Sequence, residues 1–265
     1  MGTLPIDSIR RSDVVKLLDQ VEDKSGQTAA DQTLAFLRRL FSWHATRSDE
    51  FRSPIVRGMA RSKPKERARK HTLTDDEIRA VWTATATGLY GALVRFLLLT
   101  GARRDEARNM PSSEIDAGVW ILPPHRHKTG ETNVEKVLPL SNAAQSVLAE
   151  VPALGPFVFS VNGRKPIANT TERKTRLDKA SGVTGWRIHD LRRTARSLMS
   201  RAGVDADIAE RCLGHVIGGV RGVYDRHAYL EEKRLAFEKL ATLIEGIVNP
   251  QENVVPMMKA LTTST

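Results

Sequence analysis

The sequence predicts a mainly α-helical protein with a small antiparallel sheet, an α+β chain divided by a basic linker. Three observations lead there. Apolar residues recur at helical spacing over most of the 265 positions, two short apolar runs flank a polar loop near the middle, and a proline-interrupted cationic run sets a short N-terminal part apart from the rest.

In order along the chain, Ser12 or Asp13 is expected to cap a helix through Val14, Val15, Leu17 and Leu18. A second helix over residues 33–43 carries Leu34, Leu37, Leu40 and Phe41. These elements define a short helical domain over residues 1–58. The linker follows at 59–72. Between Arg57 and His71 stand seven cations, Arg57, Arg61, Lys63, Lys65, Arg67, Arg69 and Lys70, with Glu66 and Pro64 among them. So polar a run cannot bury a face; it reads as a tether and, given its charge, as a strap across phosphates. Residues 73–248 form the main domain. Thr74-Asp75-Asp76-Glu77 is a capping box for a helix with Ile78, Val81 and Trp82 inward. An almost wholly apolar helix over residues 89–99 stops at Gly101. Short strands are expected at 119–122 and 134–138, the second ending at or edged by Pro139. Helices dominate from Asn142 to Leu243, with a strand candidate at 157–159, and 249–265 is a weakly patterned tail.

Composition narrows the partners. Apolar residues are 40% and charged residues 27% of the chain, ordinary values for a globular protein, but 41 Lys+Arg against 31 Asp+Glu leave a net charge of +10. That surplus points to a polyanion, either nucleic acid or an acidic membrane surface. The apolar run at 93–99 is too short to span a bilayer, and residues 1–11 lack the apolar core of a secretory signal. Cys212 is the single cysteine, so no intrachain disulfide forms; its apolar surroundings suggest a packed thiol in a reducing compartment. A soluble intracellular protein is the default expectation.

Five segments carry chemistry. In Trp186-Arg187-Ile188-His189-Asp190-Leu191-Arg192-Arg193-Thr194, the stripe Leu191, Ala195, Leu198, Met199 and Ala202 anchors a helix. His189, Arg192, Arg193 and Arg196 are expected on a second stripe largely turned away from it. In Thr100-Gly101-Ala102-Arg103-Arg104-Asp105-Glu106, Arg103 emerges beside the core, where it needs a carboxylate or a ligand, and Glu106 is placed to hold it. The loop Pro124-His125-Arg126-His127-Lys128-Thr129-Gly130 has two alternating histidines but no carboxylate or cysteine to complete a zinc set, so no metal is expected. Leu213-Gly214-His215 ends a helix capped by Asp205. The segment from Val223 to Tyr229 contributes Tyr224 and Tyr229, two of the three tyrosines. Taken singly, each has a plain structural reading: a solvated basic face, an ion pair, an exposed loop, a packed ring.

Their order and spacing together resemble the tyrosine recombinase (phage integrase) family over roughly residues 73–240, with a looser likeness of the N-terminal part, back to about Leu4, to the family's core-binding domain. The resemblance implies the family's catalytic fold preceded by a short helical core-binding domain. Members usually carry further helical sequence ahead of the point where this chain starts, so a shortened core-binding domain is expected. It also implies roles: Arg103 and Arg192 as the catalytic arginines, Glu106 as the supporting acid, Lys128 as the hairpin general acid, His189 and His215 as the histidines, and Tyr224 as the nucleophile. Tyr229 is the rival, less well spaced from His215. Arg193 and Arg196, with the linker cations, are expected to contact nucleic acid. Arg108-Asn109-Met110-Pro111 departs from the family's usual strand entry, and Pro111 is expected to alter the local backbone only.

Such residue types suit phosphodiester chemistry. Forked, permanently charged guanidiniums can clamp the non-bridging oxygens on which negative charge develops, and a phenol with a pKa of about 10 needs cationic neighbours to ionise. The implied function is a site-specific recombinase or integrase of a mobile element, bacterial or phage-encoded, cytoplasmic and nucleoid-associated. It would act on double-stranded DNA through a 3′-phosphotyrosine, as a homotetramer on paired sites. No metal, ATP or other cofactor is expected; the sequence has no Walker-type loop and no carboxylate cluster for paired metals. Two alternatives stand beside it: a type IB topoisomerase-like relaxing enzyme, and a DNA-binding protein without catalysis that reads bases with residues 205–215.

Overall fold

The computed structural model describes residues 4–63, 71–127, 134–215 and 229–250, and the chain forms two compact units, 1–70 and 71–265. In the first unit, α1 (Arg11–Ser25) and α2 (Gln27–Ala45) pack through Val14, Leu18, Ala30, Leu34, Leu37 and Phe41. Both helices differ in detail from the sequence expectation. Helix α1 starts earlier, with Arg10 rather than Ser12 or Asp13 at the N-cap; Asp13 caps it from its third position by accepting the Arg10 N–H at 2.9 Å. Helix α2 starts earlier than expected, and Leu40 falls off the buried stripe and is 37% exposed.

The basic run does not begin as a free tether. Met59 packs on the first unit's core, and the Arg61 guanidinium pairs with Asp19 and, at 3.3 Å, with Glu22. The Arg61 backbone N–H donates to Asp31 at 2.7 Å. Three acids on α1 and α2 therefore hold the first of the expected strap residues. Arg57 and Lys63 are exposed, whereas Lys65, Arg67, Arg69 and Lys70 lie outside the described residues.

The second unit is built around α4 (Leu89–Thr100), of which nine residues are buried. Almost wholly apolar, with Arg95 its one charged residue, it is enclosed rather than amphipathic. It packs against α6 (Asn142–Ala149) and α8 (Ile188–Arg201). Helix α3 (Asp75–Ala84) opens with the expected reciprocal cap, Thr74 with Glu77. The short α5 (Arg104–Arg108) follows α4, and α7 (Thr170–Ser181), α9 (Ala206–Leu213) and α10 (Leu230–Val248) complete the α-helices among the described residues.

The sheet has three antiparallel strands in sequence order, β1 (Ile115–Asp116), β2 (Val119–Leu122) and β3 (Lys136–Pro139). Strand β1 was not anticipated. Strand β3 lies further along than the expected 134–138: Val134 is 61% exposed, whereas Pro139 sits in the ladder opposite Val119. Lys136 and Leu138 therefore share the buried face. Residues 157–159 form no strand, since Phe157 makes only an isolated bridge, to Pro111. Among the described residues no helix is long and apolar enough to cross a membrane.

Phe96 is fully buried between Trp120 and Phe159, with ring centroids 5.7 and 5.8 Å away. Phe96→Ala should cost roughly 3–5 kcal/mol through lost burial and a cavity. A lower urea midpoint at unchanged slope is the expected result.

Candidate active site

Two helix ends prepare the site. Helix α4 stops at Gly101, which adopts φ +59°; a Cβ there would stand 2.7 Å from Leu213 Cδ2. Helix α9 stops at Gly214, φ +70°, where a Cβ would meet the Lys136 stem at 2.8 Å. Both positions therefore require glycine for conformation and for space. Their helices converge with carbonyls turned to one point.

Arg192 occupies that point. Its side chain is buried, contrary to the expected stripe turned away from the apolar one. It donates to Gly101 O and Leu213 O, both at 2.7 Å, and to His215 Nε2 at 2.9 Å. Carbonyls at two helix C-termini carry partial negative charge and offset the desolvation of a guanidinium. Burial, and then the Arg103 charge, still bring the Arg192 pKa down to about 10. With Nε2 accepting from Arg192, His215 carries its proton on Nδ1, which faces Glu210.

Arg103 caps α5 and donates to Glu106 Oε1 at 2.7 Å, while Glu106 Oε2 accepts the Arg103 backbone N–H at 3.2 Å. The expected pairing of these two residues is therefore present. The second oxygen also accepts from Lys136 Nζ at 2.9 Å, a bond between two almost fully buried side chains. Burial alone would raise the Glu106 carboxyl. The Lys136 ammonium and Arg103 outweigh it and hold the group down at about 2.

A cleft of about 970 Å³ opens beside the Arg103–Glu106 pair and is lined by these two with His189, His125, Arg126 and Lys174 among others. His189 is exposed at its mouth, and its partial cover, then Arg192 and Arg193, hold its imidazole below the ordinary value. Arg126 braces the cleft's edge by donating to Glu106 O at 2.9 Å and pairing with Glu114 at 2.8 Å. His127 Nε2 meets the Val134 carbonyl at 3.0 Å.

The described sequence-derived site residues thus come together: Arg103 and Glu106 in one pair, Arg192 and His215 in another, and His189 beside them. Lys128 and Tyr224 lie outside the described residues. The rival Tyr229 begins α10 at φ +51°, with the Arg211 guanidinium 4.0 Å from its ring centroid. Arg193 and Arg196, expected on a nucleic-acid face, are paired with Asp190 (3.1 Å) and Glu210 (2.7 Å) and remain partly exposed. Thr194 accepts the Leu73 N–H at 2.9 Å and so fastens the start of this unit to α8. Cys212 is buried as expected, and burial pushes its thiol up to about 12.

Sequence reasoning missed Lys136 and Arg126. Lys136 had a signal: its two-residue spacing from Leu138 puts a cation on the apolar face of a strand. Arg126 had none, because its partners lie on α5 and in the turn before β1.

Fold, cleft and cation pair define a class, and the chain belongs to it: residues 71–230 match the phage integrase family, the tyrosine site-specific recombinases. The chain is 26% identical over 276 aligned positions to prophage integrase IntZ of Escherichia coli K12; the match covers 95% of this chain and 65% of that protein, so the chain spans just under two thirds of its relative's length. Its fold is similar to that of a lambda integrase fragment, crystallised as a dimer bound to a COC′ core site. The TM-score is 0.63 over 81% of this chain and 82% of that one, at 20% identity. It is also similar to the integrase of the Tn1549 transposon in complex with circular intermediate DNA, with a TM-score of 0.60 over 88% and 86% of the chains at 17% identity.

The depressed Glu106 pKa couples stability to acid. Its contribution is fully present above the ordinary value of 4.5 and is lost as pH falls from there through about 2. The loss should be on the order of 3 kcal/mol. Urea unfolding at stepped pH should show this decline in the wild type and a flatter profile in Glu106→Gln.

Proposed function

We propose that this protein is a site-specific DNA recombinase, an integrase that cleaves and rejoins double-stranded DNA through a 3′-phosphotyrosine on Tyr224, without metal or nucleotide. The observation that carries the proposal is a surplus of buried positive charge. Arg103 and Lys136 both bond Glu106 and Arg192 lies close by, while Arg103 and Glu106 themselves line a cleft large enough for a backbone phosphate. Uncompensated buried charge is costly, and an anion seated between the two guanidiniums would relieve it.

In this scheme Arg103 and Arg192 hold the non-bridging oxygens. The Tyr224 oxygen attacks phosphorus, the bond to the 5′-oxygen breaks, and that oxygen takes a proton from Lys128. His189 steers the phenolic proton, and His215, accepting from Arg192, holds that guanidinium in place. Rejoining runs the same steps backward, so the phosphotyrosine conserves the bond energy. Arg57, Lys63, Lys65, Arg67, Arg69 and Lys70 are assigned to backbone phosphates along the strap, and Arg193 and Arg196 to the cleft's flank. Arg61 is withdrawn from that set, because Asp19 and Glu22 already neutralise it. The protein is assigned as a homotetramer on paired sites, with residues 1–58 as the core-binding domain.

A reader without catalysis is less well supported. Within residues 205–215, Glu210 is tied to Arg196 and His215 is turned to Arg192, which takes both side chains away from base edges.

The test is covalent trapping on a pool of nicked duplexes with randomised cores, read on denaturing gels. Wild type should form an adduct that EDTA does not diminish, and Tyr224→Phe should form none. Persistence of the adduct in Tyr224→Phe with loss in Tyr229→Phe would move the nucleophile to Tyr229. Arg103→Ala should abolish trapping while leaving most DNA affinity; loss of affinity instead would refute its role as a phosphate clamp. Affinity should also fall steeply as salt rises, because phosphate contacts release counterions. A salt-insensitive affinity would remove the strap.

A further inference from the structure

Lys136 is the buried charge that this mechanism leaves without a task. It lies on β3, 6% exposed, with its stem across Gly214 and its ammonium on Glu106 Oε2. A lysine buried this deeply stays charged only beside a partner, and a hydrocarbon side chain would fill the same space at less desolvation cost. The placement therefore asks for a reason beyond packing.

The bonding around Glu106 supplies one. A carboxylate with both oxygens open accepts an arginine through two parallel N–H bonds and so occupies a whole edge of the guanidinium. Here Lys136 and the Arg103 backbone N–H fill Oε2, and the Arg103 side chain bonds only Oε1. We propose that Lys136 is a positioning residue for strand cleavage: its ammonium blocks a two-pronged Arg103–Glu106 pair, so that the Arg103 fork stays directed to phosphate in the cleft. The inference rests on the recombinase reading and deepens it.

Lys136 also sets the charge of the cluster. With it ionised, three cations face one carboxylate; without it, two do. The charged groups facing it are Glu106 and Arg103 at the start of α5 and Arg192 on α8, with the Cys212 thiol of α9 nearby. Lys233 of α10 reaches past it to the Val137 carbonyl at 3.0 Å. Burial first, then repulsion from Arg192 and Arg103, bring the Lys136 pKa down to about 8 against the pull of Glu106. Its charge is therefore present at neutral pH and is lost as pH rises through that value.

The experiment measures single-turnover adduct formation on a duplex that the wild type captures, at saturating protein, from pH 6.5 to 9.5. Lys136→Met keeps the unbranched stem over Gly214 and removes the charge. At pH 7 it should slow adduct formation at least about tenfold, short of the ~10²–10³ expected for a direct donor, with DNA affinity little changed. The ratio of wild-type to Lys136→Met rates should shrink toward one as pH passes about 8. A ratio constant across pH, or equal rates at pH 7, overturns the inference and leaves the recombinase reading standing. Should Lys136→Met fold poorly, Lys136→Met/Glu106→Gln removes both charges at once. It should be no slower than Glu106→Gln alone, and deficits that multiply would show that Lys136 does not act through Glu106. Failure of the wild type to form any adduct sinks the recombinase reading itself, and this inference with it.

Discussion

The second unit is organised around one carboxylate. Glu106 is almost fully buried, yet it is held ionised by the Arg103 guanidinium on one oxygen and the Lys136 ammonium on the other. These contacts bind the cap of α5 to the inner face of β3. They also create a centre with more positive than negative charge, next to Arg192. An anion arriving at the open side of the cluster would relieve that imbalance. The cleft provides that side.

The rest of the fold serves to bring those elements within reach. Helix α4, almost wholly apolar, forms the axis against which α6 and α8 pack, and its end at Gly101 turns a carbonyl toward Arg192. Gly214 performs the same service at the end of α9 and also makes room for the Lys136 stem. Two left-handed glycines thus connect backbone termination to site chemistry. A side chain at either position would strain the turn and push apart the groups that keep Arg192 in place. The neighbouring Thr194 and Arg126 work at longer range, one fastening the unit's first residues to α8 and the other bracing the cleft's edge.

Much of this was legible in the sequence. The capping box at Thr74, the apolar helix ending at Gly101, the Arg103–Glu106 pair and the Asp205 cap follow from local rules that depend on residues a few positions apart. The motif order carried the family resemblance, and the match over residues 71–230 agrees with it. Strand limits were less legible. Val134 and Pro139 differ in whether they enter the ladder because β2, not their own propensities, decides the pairing. The pairing of Arg61 was hidden for a similar reason: it reads as a free cation until Asp19, Glu22 and Asp31 are brought beside it.

By itself, then, the sequence determined which segments are helical, several of their caps and breaks, and which chemical groups the chain displays in which order. These are short-range properties, set by periodicity and by backbone geometry. Only the tertiary structure decided which cations face inward. Arg192 turns into the core because two helix ends converge there with unpaired carbonyls, and Lys136 does so because Glu106 waits beneath the strand. A charged side chain is buried or exposed according to the partners that distant elements bring to it; the spacing of Lys136 hinted at its face, but not at the carboxylate that holds it.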